Sequence, residues 1–186
     1  MFERLTDLIV KHCSPTLAGL KSGNMFSSYC ENFQDMLCDL RTLNQRFAVK
    51  GIKIIPLRYS DKRCLLYVFR LTALSCDLAD KKAFKILKDL GYKSCDPGEC
   101  IARLLMRLNS SEQFPHEIGL FLGYPPEDVY GYIKNKGKSP KCTGHWQVYG
   151  DEKVALAKFK SFKQCTRIFC QMAALGFSIE ELAVAG

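Results

Sequence analysis

A chain of 186 residues, 47% hydrophobic and 25% charged, carries enough apolar side chains to bury a core, which excludes an intrinsically disordered chain. Lys and Arg outnumber Asp and Glu by 27 to 19, a net charge of +8 that favours acidic partners: an anionic small molecule, a nucleic acid or an acidic protein. No apolar run reaches the roughly 18 residues of a membrane span, and the opening MFERLTDLIV has no export architecture, so the expected setting is cytoplasmic, without membrane contact.

Residues 2–11 place Phe2, Leu5, Leu8 and Ile9 at helical spacing, and Pro15 predicts the end of that helix because proline disfavours helical backbone before it. The glycine-containing stretch 16–27 reads as a strand or extended loop. Ser28 is the expected cap of a second helix that carries Phe33, Met36, Leu37, Leu40 and Leu43 to about Phe47. The strongest β signal follows at 52–59 and 64–70, two runs rich in branched and aromatic residues joined by a polar turn at 60–63. Pro56 cannot donate a ladder bond, so its strand is an edge or holds a bulge. Both faces of 64–70 are apolar, which predicts helices on both sides of the sheet.

Helices are then expected at 79–90, 98–108, 115–122 and 126–135. A short strand at 145–149 precedes a long helix from Asp151 to about Gly176 and a last short one at 178–183. The fold class is α+β, one domain over 1–186. A small, mainly antiparallel sheet of the hairpin 52–70, the strand 145–149 and an extended 16–22 is surrounded by about seven helices. Phe33, Leu37, Leu66, Val68, Phe159, Phe162 and Phe169 are the expected core.

Ten cysteines include no C-x-x-C pair, so neither a zinc knuckle nor a dithiol motif is written here. Without an export signal they read mainly as reduced, small core residues.

Three segments carry a resemblance: HCSPTLAGLK (12–21) with NMF (24–26), FPHEIGLFLGYPPEDV (114–129) and CTGHWQVYG (142–150). Together they resemble DUF3793, an uncharacterised bacterial, clostridial-type family. The resemblance implies a redox or metal-handling context, with an acidic redox protein such as a flavodoxin as partner, and brings no reaction or cofactor.

The residues themselves open three readings. In the first, the three segments converge on one concave site for an anionic ligand, lined by His12, Lys21, Asn24, His116, Glu117 and Trp146; glycines beside Lys21 permit close approach, and Trp146 offers an aromatic wall. In the second, Cys13 is a nucleophile served by His116 with Glu117 behind it; the same three could ligate a metal, although no local ligand spacing supports that. In the third, 115–135 is a helix-turn-helix-like subregion, with Gly119 at the crossing, Gly123 at the turn, and Val129 with Tyr132 or Ile133 locking the second helix. Its leading residues are Pro125, Pro126, Glu127 and Asp128, and carboxylates facing phosphates argue against nucleic acid.

Overall fold

A computed structural model describes residues 2–110 and 114–185; the side chains of Phe2 and Glu3 lie outside the described residues. The architecture is α+β, with a three-stranded antiparallel sheet, a separate two-stranded one and nine α-helices among the described residues. Contacts cluster into two compact units, Met1–Thr72 with Phe162–Gly186, and Ala73–Ser161.

The first unit is built on the expected hairpin. Strands β2 (Ile52–Ser60) and β3 (Arg63–Arg70) are joined through Asp61 and Lys62, both at positive φ (50° and 57°), the backbone of a tight two-residue hairpin turn. The register slips between Pro56 and Arg58, and β2 is an edge strand, so the proline sits where its missing N–H costs least. Asn44 of α2 (Phe33–Phe47) covers that edge: its side-chain amide donates to Ile54 O and accepts from Ile54 N, both at 2.8 Å. The third strand is β1 (Gly23–Tyr29), paired antiparallel to β3, rather than 16–22 or 145–149.

Helix α1 (Phe2–Leu17) runs through Pro15 instead of stopping before it. The proline falls in the last turn, where the Ser14 hydroxyl donates to Val10 O and the Ala18 and Leu20 N–H groups bond Ser14 O and Pro15 O. Asn32, not Ser28, caps α2, accepting from Gln34 N at 2.9 Å; Ser28 lies inside β1. Leu5, Ile9 and Cys13 of α1 and Met36, Leu40 and Leu43 of α2 pack with Phe26, Ile54, Leu66 and Val68 in one apolar cluster. Tyr67 and Phe69, on the opposite face of β3, are buried and stacked at 4.7 Å. Of the expected core, Leu66, Val68 and Phe162 are buried and Phe33, Leu37, Phe159 and Phe169 half-buried.

Arg70 does the least expected work in this unit. It is buried, and its guanidinium donates to Thr16 O and Leu17 O at 2.6 Å each, to Val184 O at 2.8 Å and to Lys50 O at 3.3 Å. The end of α1, the 3₁₀ turn Ala48–Lys50 and the segment after α9 (Ile179–Leu182) thus share one cation, which satisfies carbonyls that helix ends leave open.

The second unit is helical: most of α3 (Leu71–Ala79), α4 (Lys81–Asp89), α5 (Pro97–Ser110), α6 (Ile118–Phe121), α7 (Pro126–Asn135) and residues 152–161 of α8 (Glu152–Ala174). Helix α3 follows β3 directly, and one residue, Asp80, separates it from α4, whose Lys82 and Ala83 N–H groups it caps at 2.8 and 3.0 Å. The expected strand 145–149 is shorter, β5 (Gln147–Val148), and pairs with β4 (Cys142–Thr143) in a sheet of its own. No described helix is long and apolar enough to cross a membrane.

Candidate functional site

The second unit holds its site where α6, α7 and the β4–β5 hairpin meet. Gly119 lets the two helices approach: a Cβ there would lie 2.8 Å from Val129 Cγ2 and 3.1 Å from the Tyr124 ring. Gly123, at φ +68°, makes the turn in a backbone region that glycine enters without strain. Gly131 plays the same part on the other side of α7, where any Cβ would overlap Tyr149.

Asp128 organises the hairpin. It is buried, and its carboxylate accepts from Trp146 Nε1, Tyr149 N and Gly150 N, each at 2.7 Å. Charge-assisted bonds of this length are the strong kind, and they fix the indole in one orientation. Trp146 stacks on Tyr124 at 4.8 Å and meets Phe159 edge-on at 4.5 Å. Burial pushes the Tyr124 hydroxyl up to about 12, which keeps it a neutral phenol.

The result is a cavity of about 310 Å³. Tyr124, Tyr132 and Trp146 give it aromatic walls, with Phe114, Ile118 and Val129 as further apolar lining and His116, Thr143 and Gln147 as polar lining. The exposed His116 touches the Tyr132 ring edge-on at 4.9 Å. Two of the three signature segments, 114–129 and 142–150, therefore meet in one place. Asp128 also lines the cavity, but both of its oxygens are engaged by the hairpin.

Glu117 is not among the cavity residues. It is buried, accepts from Tyr92 OH at 3.1 Å and pairs with Arg107 of α5, a contact that anchors the start of α6. Burial, and then the like negative charge of Glu117, push the Tyr92 hydroxyl far above its ordinary value.

The remaining candidates belong to the first unit. His12 is exposed and stacks on Phe26 at 5.6 Å; burial of part of its ring, then Lys11, lowers its pKa. Asn24 Oδ1 accepts from Thr16 Oγ1 at 2.7 Å, tying α1 to β1. Lys21 is buried, with Nζ 5.9 Å from the centre of the Phe162 ring, and burial lowers it to about 8 against a smaller opposing effect of Cys13. Cys13 is fully buried, and burial pushes its thiol far up, the reverse of the depressed value that makes a cysteine nucleophilic. No group of three or more His, Cys, Asp or Glu able to hold a metal ion occurs among the described residues. Of the ten cysteines, Cys13, Cys30, Cys64 and Cys100 are buried, Cys38 and Cys76 exposed and the other four half-buried, so fewer serve as core residues than their number suggests.

Two residues of this site do not stand out in the sequence: Asp128 reads there as a charge at a leading helix end, and Tyr124 as part of a turn. The one available signal was an acidic residue in the first turn of a helix whose neighbouring segment contains the chain's single tryptophan.

A family model described as a protein of unknown function (DUF3793) matches residues 9–183. The chain belongs to this family. No curated protein and no solved structure matches.

Proposed function

We propose that this DUF3793 chain is a binding module whose second unit takes a small, flat ligand carrying an anionic group. The observation that carries the reading is the 310 Å³ cavity formed by two separate signature segments around an indole held by Asp128. Its size is at the lower end of small-molecule pockets, about 300–1,000 Å³, and its mainly aromatic lining with a few polar groups is their usual make-up. His116 is the polar group suited to meet a ligand anion. The net charge of +8 supports an acidic partner as well, of the kind a redox protein such as a flavodoxin presents.

Two observations disfavour the other readings. A buried thiol pushed upward opposes Cys13 as nucleophile. Asp128, at the leading end of α7, is occupied by Trp146 and the 149–150 backbone, a use within the fold that speaks against a base-reading role for this residue.

The test uses the chain's single tryptophan as donor for energy transfer to anilinonaphthalene sulfonate, a flat aromatic anion. Saturable one-to-one transfer is expected, weaker for the neutral analogue phenylnaphthylamine, with the difference shrinking in His116→Ala. Equal, non-saturating transfer for both dyes would overturn the reading.

A further inference from the structure

A second, smaller cavity of about 170 Å³ lies at the turn between α4 and α5 in the same unit, and Gly91, Lys93, Ser94, Glu99 and Arg103 are among its lining residues. Its chemistry differs from that of the aromatic cavity, and its case is independent of the function proposed above. The decisive group is Arg103. Its Nε is buried and has no hydrogen-bond partner, although a guanidinium stays charged and presents donors only. Buried donors are ordinarily paired, and an orphan calls for an explanation.

The surroundings supply one. Gly91 stands at φ +85°, and a Cβ there would lie 3.4 Å from Arg103 Nη2, so glycine keeps the space beside the fork open. Lys93 adds a second cation on the lining. The Ser94 oxygen accepts from Asp96 N at 2.9 Å, which leaves its hydrogen to donate. The nearby Asp96 carboxylate caps α5, its Oδ1 accepting from Glu99 N at 3.0 Å, and it is not among the residues that line this cavity. Glu99 is the one lining carboxylate; it is exposed and makes no ion pair with Arg103 in the structure.

We infer that this cavity is a binding site for a single phosphate group, held by the Arg103 guanidinium with Lys93 and Ser94 completing the set. The planar fork of arginine matches two phosphate oxygens at once, whereas lysine contributes a point charge. The volume suits one such group and not a whole cofactor, since pockets for those begin at about 300 Å³. The phosphate can be free or the head of a phosphomonoester, and the two sources present the same oxygens.

Isothermal titration at constant ionic strength tests this, with inorganic phosphate, phenyl phosphate and adenosine monophosphate as ligands. Saturable one-to-one binding is expected, weakened about tenfold or more by Arg103→Met, equivalent to 1.4 kcal/mol. Lys93→Met, at an exposed position that leaves folding untouched, should weaken it too. Glu99→Gln should tighten it by removing the competing carboxylate. Phosphate esters binding more tightly than inorganic phosphate would name the ester as ligand, and equal affinity would name the free ion. Absence of saturable binding overturns the site, as does affinity unchanged in both Lys93→Met and Arg103→Met. Should Arg103→Met lose its cooperative melting transition, Lys93→Met and Glu99→Gln decide alone, and no change in either overturns it.

Discussion

The two units bury a charge by the same means and to different ends. In the first, the Arg70 cation is surrounded by four backbone carbonyls. In the second, the Asp128 carboxylate is surrounded by two backbone N–H groups and an indole N–H. Each is compensated by fixed dipoles of the fold, which lowers the cost of taking an ion out of water. Arg70 gathers the ends of structural elements and is used up in doing so. Asp128 instead orients a large aromatic side chain and leaves a cavity beside it. A buried charge that clamps backbone closes a structure, whereas one that clamps a side chain can furnish a site.

Removing Arg70 should have the largest effect. Arg70→Met removes a donor from four carbonyls. Thr16 O and Leu17 O keep the Gly19 and Val184 N–H groups, whereas Lys50 O and Val184 O lose the part-buried bonds they make to the guanidinium, and at about 1–3 kcal/mol for each such group the first unit should lose about 2–6 kcal/mol. Urea denaturation measures it. A loss under about 1 kcal/mol, the worth of an ordinary hydrogen bond, would show that water replaces the clamp freely.

Asp128→Ala should come next, at about 2–4 kcal/mol for three charge-assisted bonds with partial relaxation. It should also red-shift Trp146 emission as the indole loses its fixed, buried position. Unchanged emission would separate Asp128 from the cavity and break the contrast with Arg70. Gly131→Ala is smaller: its Cβ collides with Tyr149, and overpacking of this kind costs about 1–3 kcal/mol. If thermal melting shows no loss, the hairpin sits against α7 more loosely than described.

A further effect is a pH dependence. Burial lowers Lys21 to about 8 from its ordinary 10.5, so between those values the unfolded chain holds a proton that the folded chain has released. Stability from this group therefore rises with pH across the window from about 8 to 10.5, and below it the full penalty of a buried cation applies. Buried thiols act oppositely, because Cys64 and Cys100 are raised to about 11 and their contribution falls as the unfolded thiols ionise. The difference between wild type and Lys21→Met isolates the lysine. That difference should shift toward the wild type as pH rises through the window, and a flat difference would mean that Lys21 is solvated.

Much of the fold could be read locally. The hairpin and its Pro56 irregularity, α2, α7 and the long α8 all follow from residue type and period. What failed depended on distant partners. Pro15 predicts a stop, but Arg70, more than fifty residues away, donates to carbonyls at the end of α1 and stabilises the extra turn. Ser28 resembles a cap until β1 pairs with β3. The candidate site was legible in part: His116 and Trp146 share a cavity, whereas Glu117 is spent on Tyr92 and Arg107. Polar residues in specific turns signal a constraint without saying whether a ligand or the fold imposes it.

The central claim is that Asp128 holds Trp146 as the wall of a formed ligand cavity. Fluorine NMR of protein labelled with 5-fluorotryptophan tests it directly, because one tryptophan gives one resonance. The account predicts a single narrow line, shifted from the solvent-exposed position, that moves saturably with anilinonaphthalene sulfonate; in Asp128→Asn the line should broaden and the response weaken. A line at the solvent-exposed position, indifferent to both dye and substitution, would contradict it.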